Sequence, residues 1–157
     1  MRQWLRRPAA AMLILGLLAG TGHALLPDFS KEELIQQCEG IVLGTVQDVR
    51  CAWNEEHTAI FTRVTLTVQD QYKGRDLGPQ VVLVIPGGQV GETWQRVSDT
   101  PTLEPGLRVI VHTYTQEDGS TWIYGWERGV LRVQDEAIPE YTMTLDHFRR
   151  LVETTLK

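Results

Sequence analysis

The sequence predicts a mainly β protein: a small antiparallel barrel of five or six strands, with a short helix before it and an amphipathic helix after it. Three observations carry that prediction. Apolar residues recur with a period of two in several short runs between residues 41 and 133, punctuated by Gly, Pro and Asp-Gly. The first run, "IVLGTVQDVRCAW", changes apolar phase halfway, as a strand does when it bends to serve two faces of a small barrel. Helix signatures flank the strand region on both sides.

The elements follow in order. "FSKEEL" places Ser30 at an N-cap with Glu33 three residues on, a capping box, and Phe29 and Leu34 at the positions of a hydrophobic staple. Leu34, Ile35 and Cys38 share a helical face and Gly40 suits the stop, so a helix is expected over 31–38 with Cys38 toward the core. In the next strand Val42, Gly44 and Val46 hold one phase and Val49, Cys51 and Trp53 the other, which implies a bulge or sharp bend between them. "AIFTRVTLTVQDQY" alternates Ile60, Val64, Leu66, Val68 and Tyr72 with polar residues. After the turn "KGRDLGP", the strand "QVVLVIP" is apolar on both faces, as a central strand is, and ends at Pro86. Gly87 to Gly106 is expected to be a long irregular loop. "LRVIVHTY" is a strand with Leu107, Val109 and Val111 on one face, "QEDGS" a hairpin turn, and "TWIYGWERGVLRV" two short strands turning near Glu127-Arg128-Gly129. Thr144 caps a last helix with the stripe Leu145, Phe148, Leu151 and Val152. An antiparallel barrel or sandwich suits this string of elements, and the bent first strand favours the barrel.

The N-terminus reads as a secretory signal peptide. Arg2, Arg6 and Arg7 form a basic region, 9–19 an apolar run too short for a bilayer span, and Gly22-His23-Ala24 a cleavage site with small residues at −3 and −1. Cleavage is expected after Ala24, leaving one domain over 25–157, located in the periplasm or outside the cell, without stable membrane insertion. Loss of the three arginines takes the formal net charge from −5 to −8. An acidic domain with scattered Lys and Arg is poorly matched to a phosphate backbone, so nucleic acid is not the expected partner.

The ordered motifs "IVLGTV", "TRVTLTVQDQYKG", "IPGG", "PTLEPGLRVIV" and "YGWERGVLRV", closed by a leucine-rich helix, resemble a family of small exported bacterial β-proteins of unassigned activity. More distantly, "QQCEGIVLGTVQDV" and "VTLTVQDQYKG" resemble the first two strands of netrin-like domains, which include the tissue inhibitors of metalloproteinases. That second resemblance implies an OB-like barrel. The zinc-chelating N-terminal cysteine of those inhibitors has no counterpart, because the expected mature terminus is Leu25 and Cys38 lies in a helix.

Candidate chemistry is sparse. Cys51 and His57 are six residues apart and could form a thiolate pair, but no third orienting group is apparent, and no catalytic residue is assigned. His57, His112 and His147 lack a metal-ligand spacing and no Cys-x-x-Cys is present, so neither a metal nor another cofactor is expected. Glu32-Glu33 and Glu55-Glu56 suit a helix start and a turn. Cys38 and Cys51 flank about ten extended residue steps, roughly 33 Å, so no disulfide between them is expected despite the oxidising compartment.

Two groups remain as candidate binding residues. Trp122, Tyr124 and Trp126 alternate and are expected on one face of a strand, either filling the core or forming a row that stacks on a ligand. In the long loop, Gly87 and Gly88 permit positive φ or close backbone approach, and Trp94 either anchors a partner or plugs the barrel mouth. The expectation is an exported, non-enzymatic binding or accessory protein acting on an unidentified exported protein or peptide. The alternatives are a netrin-like protease inhibitor and a small exported hydrolase or thiol enzyme.

Overall fold

The structure is a computed structural model that describes residues 29–157. The expected signal peptide, 1–24, and its cleavage after Ala24 lie outside the described residues. The elements are α1 (Lys31–Gln37), β1 (Gly40–Trp53), β2 (Ile60–Lys73), β3 (Gln80–Pro86), β4 (Gly88–Val90), β5 (Thr93–Gln95), β6 (Arg108–Thr115), β7 (Thr121–Ile123), a 3₁₀ turn Trp126–Gly129, β8 (Val130–Arg132), β9 (Ala137–Ile138), β10 (Met143–Thr144) and α2 (Leu145–Thr155).

α1 starts with the capping box. The Glu33 backbone N–H donates to Ser30 Oγ at 3.1 Å and the Ser30 N–H donates to Glu33 Oε2 at 2.8 Å. The helix stops one residue earlier than expected, with Cys38 extended at φ −67° and ψ 155°. Lys73 Nζ donates to the carbonyls of Ile35 (2.7 Å) and Gln36 (2.9 Å), groups that a helix end leaves without intrahelical partners.

β1 and β2 form a long antiparallel hairpin. Its turn is held by Asn54, whose Oδ1 accepts the N–H groups of Thr58 and Ala59. Val46 pairs with Leu66 and Asp48 with Thr65, so Gln47 is the extra residue of a bulge. That bulge is the phase change in the sequence: Val42 and Val46 before it and Val49 after it all reach the barrel interior.

The ring closes in the order β1-β2-β3-β7-β6-β1, with β8 beside β6. Every pairing in it is antiparallel except β3–β7, where Leu83 and Val84 run parallel to Thr121 and Trp122. The barrel is therefore mixed rather than wholly antiparallel. The reason is geometric: a closed ring with an odd number of strands cannot alternate direction throughout, so one seam must be parallel. The seam here covers two residue pairs.

Two apolar cores result. The barrel interior holds Val42, Val46, Val64, Leu66, Leu83, Val109 and Val111. The second core lies outside the wall, where Ile41, Leu43 and Ile110 meet Ile35 of α1 and Phe148 and Val152 of α2. β1 and β6 are thus buried on both faces where the helices cover them, and burial of each large aliphatic side chain there is worth about 1.5–3 kcal/mol. The segment Gly87–Gly106, expected to be irregular, contains the small β4–β5 hairpin. Farther along, it inserts Leu103 into the barrel interior. A second short hairpin, β9–β10, covers 137–144 and buries Ile138 completely. Among the described residues no helix is long and apolar enough to cross a membrane.

Candidate functional site

The parallel seam positions the site. β3 and β7 pair only at Leu83–Thr121 and Val84–Trp122. Beyond that point lies a hollow of about 460 Å³, bordered by Val84, Ile85 and Pro86 on one side and by Trp122 to Trp126 on the other. Trp122, Tyr124 and Trp126 all line it, but not as a row on one strand. β7 ends at Ile123, Gly125 (φ 77°) and Trp126 (φ 55°) take left-handed backbone, and Trp126 opens the 3₁₀ turn. The left-handed turn brings the third ring back to the hollow that alternation alone was expected to supply.

The rings form an aromatic wall outside the barrel. Tyr114 lies opposite Trp122 across β6 and β7. Tyr124 meets Tyr114 edge to face at 6.3 Å and Phe29 at 5.8 Å and 48°. Phe61 packs edge-on behind Trp122 at 5.9 Å. Polar tips are fixed as well: Tyr124 donates to Gln37 Oε1 at 2.6 Å and Trp122 Nε1 donates to Ser120 Oγ at 2.8 Å. Trp122 and Tyr124 are half-buried and Trp126 is 38 % exposed. The row is therefore not barrel filling; Leu103, Ile123 and the aliphatic strand residues fill the interior.

Trp94 lies on the β5 strand of the small hairpin and is 68 % exposed. It does not plug the barrel. It borders a second, more polar hollow of about 750 Å³ at the mouth, which shares Ile85, Pro86 and Pro101 with the aromatic one. The two hollows thus adjoin, with Trp94 bordering one and Trp122 the other. Gly87 and Gly88 line the mouth, and their role is internal. Both have positive φ (93° and 137°), and a Cβ at Gly88 would stand 2.6 Å from Thr62 Oγ1 and 2.7 Å from Cys51 Sγ. These glycines let the hairpin fold tightly over β1 and β2. Gln95 locks it there by accepting the Ile60 N–H at 2.8 Å.

The remaining candidates are engaged separately. Cys51 Sγ lies 3.3 Å from Thr62 Oγ1, whereas His57 stacks on Trp53 in the β1–β2 turn. Both cysteines are free thiols. Burial pushes the Cys38 thiol up to about 11, against an opposing pull from Lys73, so it stays protonated. His112, read in the sequence only as one histidine on a strand, is fully buried in the outer core, edge-on to Phe148, with Nδ1 3.0 Å from the Gly129 carbonyl. Burial lowers its pKa to about 4; the Gly129 contact opposes that and Lys73 adds to it. Among the described residues no three His, Cys, Asp or Glu side chains gather as a metal site would require.

Phe61 and Tyr114 were not singled out in the sequence, and Phe29 was read there only as a helix staple, because the three come from distant parts of the chain. The signal present was the Tyr114–Trp122 spacing across the Asp118-Gly119 turn, which makes the two direct cross-strand neighbours. Comparison with protein-family models and with curated proteins finds no match to this chain.

Proposed function

We propose that the protein is an exported binding or accessory module that takes a segment of a partner protein on the aromatic hollow over the β3–β7 seam. The observation that supports it is the gathering of Phe29, Tyr114, Trp122, Tyr124 and Trp126 around an open hollow outside a barrel that is already filled. Half-exposed Trp and Tyr side chains held by their polar tips are the residue types on which protein partners anchor most strongly. Export is supported by the basic, apolar and small-residue pattern of 1–24.

The test is a selection of phage-displayed random heptapeptides on the purified domain, followed by titration of the selected peptides. Trp126→Ala is expected to weaken them about 30-fold, the size of a central aromatic anchor. Trp94→Ala is expected to weaken them less than about 5-fold, because Trp94 stands at the rim. Equal binding to wild type and Trp126→Ala would remove the hollow from consideration.

A further inference from the structure

We infer that the aromatic hollow recognises a cationic side chain, an arginine above all, carried by an extended partner segment; this rests on the binding role proposed above. Among the described residues that line the hollow, Glu39 is the one that carries a formal charge, and none is Lys or Arg. Glu39 is held in place by the Thr115 N–H, which donates to its Oε2 at 2.9 Å. Its Oε1 carries no hydrogen bond among the described residues, and the side chain makes no ion pair among them. Glu39 is exposed, and its remaining acceptor capacity is open to a cationic donor.

Tyr114 and Tyr124 stand at 84° to one another and Phe29 and Tyr124 at 48°, so the rings lining the hollow are inclined to one another rather than stacked. Ring faces carry negative quadrupole potential and attract a cation lying within about 6 Å of the centroid. Neutral apolar ligands gain from the ring area alone. A guanidinium gains from the area, the faces and the carboxylate together, and it desolvates more readily than an ammonium. The hollow is open, and its lining residues Ile85, Pro86 and Pro101 also border the mouth hollow beside Trp94. Two adjoining hollows suit an extended chain with one side chain turned inward, rather than a free small cation.

The experiment uses arrays of immobilised random heptapeptides whose central residue is fixed as Arg, Lys, Leu or Glu, probed with the purified domain, with tetramethylammonium-bearing beads as a non-peptide arm. The wild type is expected to retain Arg-centred arrays about 10-fold above Leu-centred and further above Glu-centred ones. Glu39→Gln, which keeps an acceptor for the Thr115 N–H, is expected to cut the Arg preference about 5-fold, lowering Arg-centred retention more than Leu-centred retention. Equal retention of Arg- and Leu-centred arrays, or no effect of Glu39→Gln, overturns the cation inference while peptide binding stands. Retention of the beads without any array assigns the hollow to a free quaternary cation and overturns it too. Failure of every arm overturns the binding role itself.

Discussion

Gly129→Ala is expected to lower the stability of the protein by about 3 kcal/mol or more and to abolish binding at the aromatic hollow. A Cβ built on Gly129 would lie 1.7 Å from the Tyr124 carbonyl oxygen and 3.2 Å from Ile123 Cγ2. The first neighbour is backbone, so no rotamer change relieves the overlap. Relief requires the 3₁₀ turn to move away from the end of β7. That movement displaces Tyr124 and Trp126, the ring pair on either side of Gly125, and carries off the carbonyl of Gly129 that contacts His112. The effect is steric rather than conformational, and a control separates the two. Gly106 has φ 91°, yet a Cβ there meets nothing within 4 Å. Gly106→Ala is expected to cost only the strain of left-handed backbone, about 1 kcal/mol. Urea unfolding of the two variants checks this; similar midpoints for both would show that the Gly129–Tyr124 approach is not what holds the turn.

The second large effect is an acid-dependent loss of stability that belongs to His112. Its ordinary pKa of 6.5 falls to about 4 in the folded protein. The folded state therefore favours the neutral ring. Its contribution is fully present above pH 6.5 and is lost as the pH falls from 6.5 toward 4, where the folded protein must also take up the proton. The gap corresponds to about 3 kcal/mol in total, of which about 2 kcal/mol is lost by pH 5. The physical cause is the outer core: Nε2 has no hydrogen-bond partner among the described residues, Phe148 stands edge-on to the ring, and Lys73 would oppose a second positive charge. His112→Asn is expected to be less stable at pH 7, because it leaves part of the site unfilled, but to show a stability change between pH 7 and 5 smaller than wild type by about 2 kcal/mol. Parallel pH profiles for the two proteins would place the acid sensitivity elsewhere.

Local features were legible in the sequence because they are encoded by neighbours. The Ser30–Glu33 capping box, the bulge at Gln47, the Asp118-Gly119 turn and the Thr144-capped helix α2 all occupy their expected places. The parallel seam was not legible, since it rests on two residue pairs between segments nearly forty positions apart. Its existence follows from strand count alone, once five strands close. His112 was read only as one of three histidines without metal-ligand spacing, on the strand face opposite Leu107, Val109 and Val111. The apolar residues Ile41, Leu43 and Ile110 on the same side of the wall are the signal that a helix covers that face. Leu103, not Trp94, fills the barrel from the long loop, a distinction that depends on where the β4–β5 hairpin directs each side chain.

The candidate site was half legible. Trp122, Tyr124 and Trp126 were identified together, and they do border one hollow. The reason expected for their proximity, a shared strand face, holds only as far as β7; left-handed backbone at Gly125 and Trp126 does the rest. Gly87 and Gly88 stood out for the close approach they permit, and the approach is to Thr62, Cys51 and Gln95 of the same chain. A pair of glycines reveals that something comes near without revealing what it is.

The indole N–H resonances of the ¹⁵N-labelled domain, followed while a selected heptapeptide is added, distinguish binding at the aromatic hollow from binding elsewhere. Trp53 lies at the end of β1, Trp94 at the mouth, and Trp122 and Trp126 at the aromatic hollow. Binding at the hollow is expected to shift Trp122 and Trp126 most, Trp94 less and Trp53 not at all. Shifts confined to Trp94 or Trp53, with Trp122 and Trp126 unmoved at saturation, would contradict it.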